Sequence, residues 1–228
     1  MGTFESAPWD VYREIHKAMR FALSGVTTMA GATDAGNDDQ LQRLLGEWSD
    51  VSFVLAGHHG HEDEFCDPLV ERHTPGLRAE LEAAHRWSED AIEQLHTLAA
   101  SLRTSATGTP ARWELLRQFH LDLADFAAEY ISHLRFEEDK VMPALNAAMT
   151  NDELAEVTMS IRMSVPPPDM CIFIRYMAPA MNFSERLDML GGMHAGAPPE
   201  IFELFRAAAQ DCLPPDDYEA IAVAGGFA

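Results

Sequence analysis

Apolar residues recur every three to four positions through four long segments, which is the pattern of amphipathic α-helices. The loop GATDAGNDD, the break HTPG and the break SATGTP separate these segments. No part of the chain alternates apolar and polar residues as a half-buried strand does. The pattern predicts an all-α protein with an up-down-up-down four-helix bundle, whose helices cover residues 8–30, 38–72, 77–103 and 111–149.

The last third of the chain is more interrupted. The run SVPPPDM at 164–170 predicts a linker, because successive prolines cannot continue a helix. The apolar run CIFIRYM that follows indicates that this part packs on the bundle. We therefore expect a bundle domain over 1–160 and a C-terminal extension over 161–228 that does not fold independently. Its short helices are predicted at 171–178, 184–190, 199–210 and 215–222.

Acidic residues dominate the charge of the chain. Thirty-seven Asp and Glu against 16 Lys and Arg give a formal charge of −21 over 228 residues. Nucleic acids and anionic membrane surfaces would repel such a chain, so neither is an expected partner. No apolar run approaches the ~20 residues of a membrane helix, and the N-terminus does not have the pattern of a secretory signal. The scattered cysteines, Cys66, Cys171 and Cys212, favour a reducing cytoplasm.

Two segments share the motif H-x-x-x-E, each with a proline ten residues after the histidine. His58 and Glu62 form the first pair, and His133 and Glu137 form the second. Residues four apart lie on one face of a helix, so each segment presents an imidazole and a carboxylate to the same point. Both pairs lie on the apolar stripe of their helix. Burying such groups is costly unless something compensates them, and a metal ion does so.

The other two helices each carry one histidine on the apolar stripe, His16 and His85. A lone histidine there is more often a hydrogen-bonded core residue, and a single H-x-x-x-E arises easily by chance. Four such histidines on four successive helices are much harder to explain in that way. The pattern therefore predicts a dinuclear metal site. Mixed imidazole and carboxylate ligands suit two iron ions, with manganese or zinc as alternatives.

The order H…H-x-x-x-E…H…H-x-x-x-E resembles the hemerythrin-like, or HHE cation-binding, family over residues 8–150. The part from Val165 onward resembles the extension of actinobacterial-type members, through SVPPPDM, ERLDML and APPEIF. The resemblance implies a four-helix bundle around a non-heme diiron centre. It also implies a set of metal ligands: His16, His58, Glu62, His85, His133 and Glu137.

The chain departs from the oxygen-carrying hemerythrins at one telling position. Those carriers have a second histidine one turn after the histidine of the third helix, where this chain has Glu89. The carriers also use H-x-x-x-x-D on the last helix. A site richer in carboxylate stabilises ferric iron and favours oxygen use over oxygen release. Glu89 is therefore a seventh candidate ligand; the alternatives are a solvated acid and one that orients a ligand.

Several nearby residues are secondary candidates. Tyr130 and Tyr12 precede the histidines His133 and His16 on their helices, where a phenol would lie near the metals unless it is ordinary core. Arg20 could grip an anionic substrate or form a salt bridge at the rim of the bundle.

Two further histidines lie within the first motif, between His58 and Glu62. His61 is an alternative ligand or an interface residue, and His59 is predicted to point away from the site.

These features favour an enzyme, a non-heme diiron oxidoreductase that uses dioxygen or peroxide on a small molecule. The alternative is a protein that binds dioxygen or nitric oxide reversibly, senses them or stores iron. Neither a dinucleotide-binding motif nor a P-loop is present in the sequence, so a reductant would come from outside the chain.

Overall fold

The computed structural model describes residues 8–228, and within them the chain forms α-helices and no β-strand. The predicted all-α bundle with additional helices is confirmed. No helix in the described part of the chain has both the length and the apolar character that crossing a membrane requires. The helices are α1 Arg13–Ala32, α2 Asp38–His61, α3 Asp67–His73, α4 Arg78–Thr104, α5 Pro110–Phe136, α6 Met142–Ala148, α7 Asn151–Ser164, α8 Pro167–Ala180, α9 Phe183–Gly196, α10 Pro199–Cys212 and α11 Pro215–Gly225.

The described residues divide into two compact units. One contains residues 8–9 and 22–153, and the other contains residues 10–21 and 154–228. The sequence predicted a border at residue 160 and placed all of the first helix in the bundle domain. In the structure the division falls inside α1, whose first part belongs to the second unit.

Two local predictions in the middle of the chain need correction. Helix α7 was not predicted, although Thr150 and Glu153 bond reciprocally through side chain and backbone, which is a helix-start signature. Leu154 is the one buried residue of α7, so the apolar periodicity of this helix is weak. The predicted linker at 164–170 is also shorter than expected. Pro167 begins α8, because a proline fits the first turn of a helix, where no N–H bond is required.

The four long helices of the first unit meet at one end through Arg112. Its guanidinium donates hydrogen bonds to the carbonyl of Ala35, the carboxylate of Asp38, and both the carbonyl and the hydroxyl of Ser105. Ala35 follows α1, Asp38 begins α2, and Ser105 follows α4, while Arg112 lies in the first turn of α5. The ends of α1 and α4 thus lie beside the starts of α2 and α5. This is the up-down-up-down order that the sequence predicts.

Trp48 of α2 occupies the centre of the bundle core and is almost fully buried. Its ring meets His96 of α4 at 5.5 Å and the edges of Phe119 and Phe126 of α5 at 5.9 and 6.5 Å between ring centroids. On α1, Gly31 lies so close to α5 that an added Cβ would come within 3.1 Å of the His120 ring. Aromatic packing therefore holds these helices in register around the bundle axis.

The second unit is built from α7 to α11 together with the first turns of α1. Helix α10 packs against α8 and α9, and α11 packs against α9. Two ion pairs attach α1 to the later helices: Lys17 to Glu185 at 2.6 Å and Glu14 to Arg162 at 2.6 Å. Glu185 also belongs to the capping box that begins α9. Residues distant in sequence thus share one compact unit.

We expect Arg112→Ala to lower the free energy of unfolding by about 2–3 kcal/mol, because buried acceptors lose a charged donor. Asp38→Asn is the matched control and should cost less, since that carboxylate is largely exposed to solvent. Urea unfolding followed by circular dichroism measures both variants. Equal losses would contradict the role of Arg112 as the buried link between helix ends.

The same ion pair predicts a pH dependence. Hydrogen bonds from Arg112 and Thr107 hold the pKa of Asp38 below its ordinary value. The contribution of the pair is therefore present above the ordinary carboxyl pKa and is lost as the pH falls through the folded-state pKa. The difference in stability between wild type and Arg112→Ala should accordingly narrow in acid.

Candidate metal centre

Both H-x-x-x-E motifs end in a widened helical turn. The π-helical turns are Glu62–Cys66, between α2 and α3, and Glu137–Val141, between α5 and α6. In each turn the carbonyl of the glutamate accepts the N–H of the residue five positions later, Asp67 or Met142. A proline follows that residue in both cases and has no N–H to donate, so a regular α-helical ladder is already interrupted there. Such turns are frequent at functional sites, and here each begins at a candidate ligand.

The first glutamate lies between two imidazoles. Oε1 of Glu62 is 3.4 Å from Nε2 of His58, and its Oε2 is 3.5 Å from Nε2 of His85. His58 is on α2, whereas His85 is on the facing helix α4. The two oxygens of one carboxylate therefore point towards histidines on different helices, which is the arrangement of a bridging ligand.

The second glutamate follows directly after α5 and faces two histidines through one of its oxygens. Oε1 of Glu137 is 3.3 Å from Nε2 of His133 and 3.9 Å from Nε2 of His85. The rings of His85 and His133 are perpendicular, with centroids 5.2 Å apart. His85 thus lies between both carboxylates, and three helices contribute to one polar centre.

These polar groups are buried in the interior of the first unit. Glu62 is 3% exposed and Glu137 is 1% exposed. Burial raises the pKa of Glu62 well above its usual value, and the negative charge of Glu137 raises it further. Burial lowers the pKa of His85, but the carboxylates of Glu137, Asp67 and Asp63 together outweigh it and the net shift is upward. Two carboxylates that repel each other in a dry interior must take up a proton or have a positive charge between them.

The donor atoms fit a metal ion. His59, Glu62, His85 and His133 each offer one ligand atom, and these atoms lie within 4.8 Å of one another. His58, Glu62 and Glu137 do the same, so Glu62 belongs to both groups. Within residues 8–228, both oxygens of Glu62 and Nε2 of His85 are buried without a hydrogen-bond partner. Buried polar atoms in that state are costly, and coordination would satisfy them.

His59 is the ligand candidate that sequence reasoning missed. It is 4% exposed, and its ring stacks on His85 at 4.8 Å between centroids. Its Nε2 lies 3.1 Å from Oη of Tyr130, and Ser88 Oγ lies 3.4 Å from the same ring. Burial lowers the pKa of His59 to about 3, with the charges of His85 and His133 acting in the same direction. The imidazole is therefore neutral, as a metal ligand or a hydrogen-bond acceptor must be.

The far side of His85 faces two aspartates. Oδ1 of Asp63 is 3.7 Å from Nδ1 of His85, and Asp67 forms a third group of ligand atoms with these two residues. Asp67 is buried and lies 3.7 Å from the guanidinium of Arg78. A carboxylate behind a histidine orients the ring and increases its basicity towards a metal. Asp63 is placed to act on His85 in this way.

The comparison with known families agrees with this geometry. The sequence profile of the Hemerythrin HHE cation binding domain matches residues 7–145, more than half of the chain. The chain belongs to the hemerythrin HHE family. No curated protein and no solved structure matches it at a significant level. All the side chains of the buried centre described above lie inside the part that the hemerythrin HHE profile covers.

Glu89, the seventh ligand that the sequence predicted for this HHE domain, is not brought into the centre. It is exposed on α4 and belongs to neither buried group. The inward face of α4 continues from His85 to Ser88, three residues on rather than four. Ser88 is small, and the ring of His59 fills the space beside it. The prediction that His59 points away is therefore wrong.

The remaining candidates stay predictions. His16 is buried and stacks on Tyr12 at 4.8 Å between ring centroids, and both lie in the part of α1 that belongs to the second unit. Arg20 lies in the same stretch and is half-buried. His61 is half-buried at the end of α2 and joins neither group. The sequence alone supports the proposed roles of His16 and His61 as metal ligands, of Tyr12 as a phenol near the metals and of Arg20 as a binder of an anionic substrate.

We expect His59→Ala to weaken iron binding by at least about tenfold, since it removes either a ligand or the partner of Tyr130 beside the ligands. Glu89→Gln should leave iron binding unchanged. Iron content after reconstitution and dialysis against a chelator compares the two variants directly. The opposite ranking would restore Glu89 as the ligand and remove His59 from the centre.

Proposed function

We propose that this HHE protein holds two iron ions and is an oxidoreductase that activates dioxygen or peroxide to act on a small molecule. Manganese or zinc remain the alternative metals for the same donors. When bound, the iron pair supplies the electrons and the open positions that dioxygen or peroxide chemistry requires. The observation that carries the proposal is the position of the two glutamates, each lying between histidines of different helices.

The donor arrangement supports two metal positions rather than one. One position has His59, His85 and His133, and the other has His58 and Glu137, with Glu62 shared between them. His16 is the further metal ligand that the sequence pattern predicts. Inward glutamates and histidines on facing helices are the residues that hold dinuclear centres in helical bundles, and Glu62 would serve both positions.

Tyr130 supports turnover over simple storage. Its side chain is fully buried, its ring lies 5.9 Å from that of His133, and its Oη is hydrogen-bonded to His59. Burial raises the pKa of Tyr130 well above its usual value, and the charges of Glu62 and Glu137 add to this shift. The phenol therefore keeps its proton beside the centre. It is placed to donate that proton as oxygen or peroxide is reduced.

Reversible binding of dioxygen or nitric oxide is the second candidate, and one observation favours it. Glu89 is exposed and His59 is buried against His85, so the centre has one more imidazole than the sequence predicted. More neutral ligands move the site towards the oxygen carriers. The buried phenol of Tyr130 is the feature that favours the enzyme.

The proposal includes partners outside the chain. Reducing equivalents would come from an external reductant, because the sequence contains neither a dinucleotide-binding motif nor a P-loop. We also propose a cytoplasmic location, which agrees with the finding that Cys66, Cys171 and Cys212 form no disulfide bond.

Rapid mixing of the ferrous protein with dioxygen or hydrogen peroxide tests the proposal. We expect the ferrous centre to be oxidised irreversibly, and Tyr130→Phe to slow this oxidation by about a hundredfold if the phenol is the proton donor. Tyr218→Phe, which alters another buried tyrosine on α11, is the control and should react like wild type. An oxygen adduct that releases its oxygen under vacuum would contradict the enzyme proposal and support reversible oxygen binding.

A further inference from the structure

A surface groove runs between α4 and α5 of the first unit. It consists of two adjoining recesses of about 320 and 350 Å³ that share Trp87 and Glu129. Along α4 it extends from Glu80 to Leu95, and along α5 from Asp122 to Phe136. Sixteen residues of α4 and fifteen residues of α5 make it about 20 Å long. The groove has the dimensions of an elongated small molecule.

The charged side chains that line the groove are all acidic. They are Glu80, Asp122, Asp125 and Glu129, and no lysine or arginine is among the lining residues. Within residues 8–228, Glu80, Asp125 and Glu129 make no ion pair, whereas the nearby Glu82 is paired with Arg78. An anionic ligand would be repelled here, and a cationic ligand would be attracted.

An aromatic surface lies at the middle of the groove. The ring of Trp87 stacks on that of Phe126, with centroids 5.6 Å apart and planes inclined by 20°. Phe126 is buried, but Trp87 remains 37% exposed. An exposed indole face attracts cations through its ring electrons, and most strongly those with little hydration, such as alkylated ammonium groups. Carboxylates around such a face are the usual components of a site for organic cations.

The groove also reaches the metal centre. His133, whose Nε2 lies 3.3 Å from Glu137, is one of the residues that line the first recess. A molecule in the groove therefore contacts one face of a candidate ligand. This contact requires no movement of the helices, because His133 already lines the recess.

We propose that the groove binds a small organic cation, a protonated amine or a quaternary ammonium compound, with its cationic group over Trp87 and beside Glu129. Its identity as the substrate of the centre rests on the proposed function, whereas its binding does not. A second copy of this chain fits the groove poorly, because its net charge of −21 would face the same carboxylates.

Calorimetric titration of the full chain with benzyltrimethylammonium tests binding, in both the metal-free and the iron-loaded protein. Benzenesulfonate and benzyl alcohol are the anionic and neutral counterparts of this probe. We expect the cation alone to bind, and its affinity to fall as salt is added. Equal binding of all three probes, or of none, overturns the proposal.

Matched variants locate the site. Trp87→Leu and Glu129→Gln should each weaken binding of the cation by about two- to fivefold, the range for exposed cation–π and ion pairs. The controls are Trp113→Leu, which removes an exposed tryptophan on α5, and Glu93→Gln, which removes a carboxylate on α4. Both residues lie outside the groove, so both variants should bind the cation like wild type. If the controls weaken binding as much as the groove variants, the cation binds to diffuse surface charge and the proposal fails.

The two proposals fail in different ways. Cation binding that is weaker in Trp87→Leu but not in Trp113→Leu, with no oxidation of the ferrous centre by dioxygen or peroxide, supports the groove and overturns the proposed function. Oxidation of the ferrous centre without specific cation binding supports the function and overturns the groove. The titration of metal-free protein is a readout that does not depend on the iron at all.

Discussion

The structure depends on two carboxylates that are buried side by side among histidines. Glu62 and Glu137 lie in the interior of the first unit, at most 3% exposed, and each contacts imidazoles on two helices. In a dry core these groups would repel each other or take up protons, and either outcome is costly. A bound cation makes the burial of these groups favourable, because every donor atom then faces a positive charge. The bundle is arranged around this requirement.

Both the local backbone at the glutamates and the packing elsewhere in the bundle position the side chains of that centre. Each glutamate begins a π-helical turn that ends before a proline, so the interrupted helical ladder and the ligand coincide in both halves of the bundle. At the opposite end, Arg112 joins the ends of four helices through buried hydrogen bonds. Trp48 and its aromatic neighbours then set the spacing of α2, α4 and α5. Ligands on different helices can meet only when this spacing is fixed.

The sequence predicts the helices and the paired motifs well, because a four-residue spacing on a helix determines which side chains share a face. The sequence does not predict which side chain enters the centre when that depends on space left by the neighbouring helix. Ser88 leaves room for an imidazole from α2, so His59 enters the centre and Glu89 stays outside. Helical periodicity within α2 or α4 alone contains no such information. The division of α1 between two units is unpredictable for the same reason, because ion pairs such as Lys17 to Glu185 join residues far apart in sequence.

We propose that the buried donors hold two metal ions with Glu62 between them. Anomalous diffraction across the iron absorption edge, from crystals of the iron-loaded protein, tests this proposal. We expect two iron peaks, one beside His85 and His133 and one beside His58 and Glu137, both within bonding distance of Glu62. A single peak away from Glu62, or a folded bundle without metal at these donors, would contradict it.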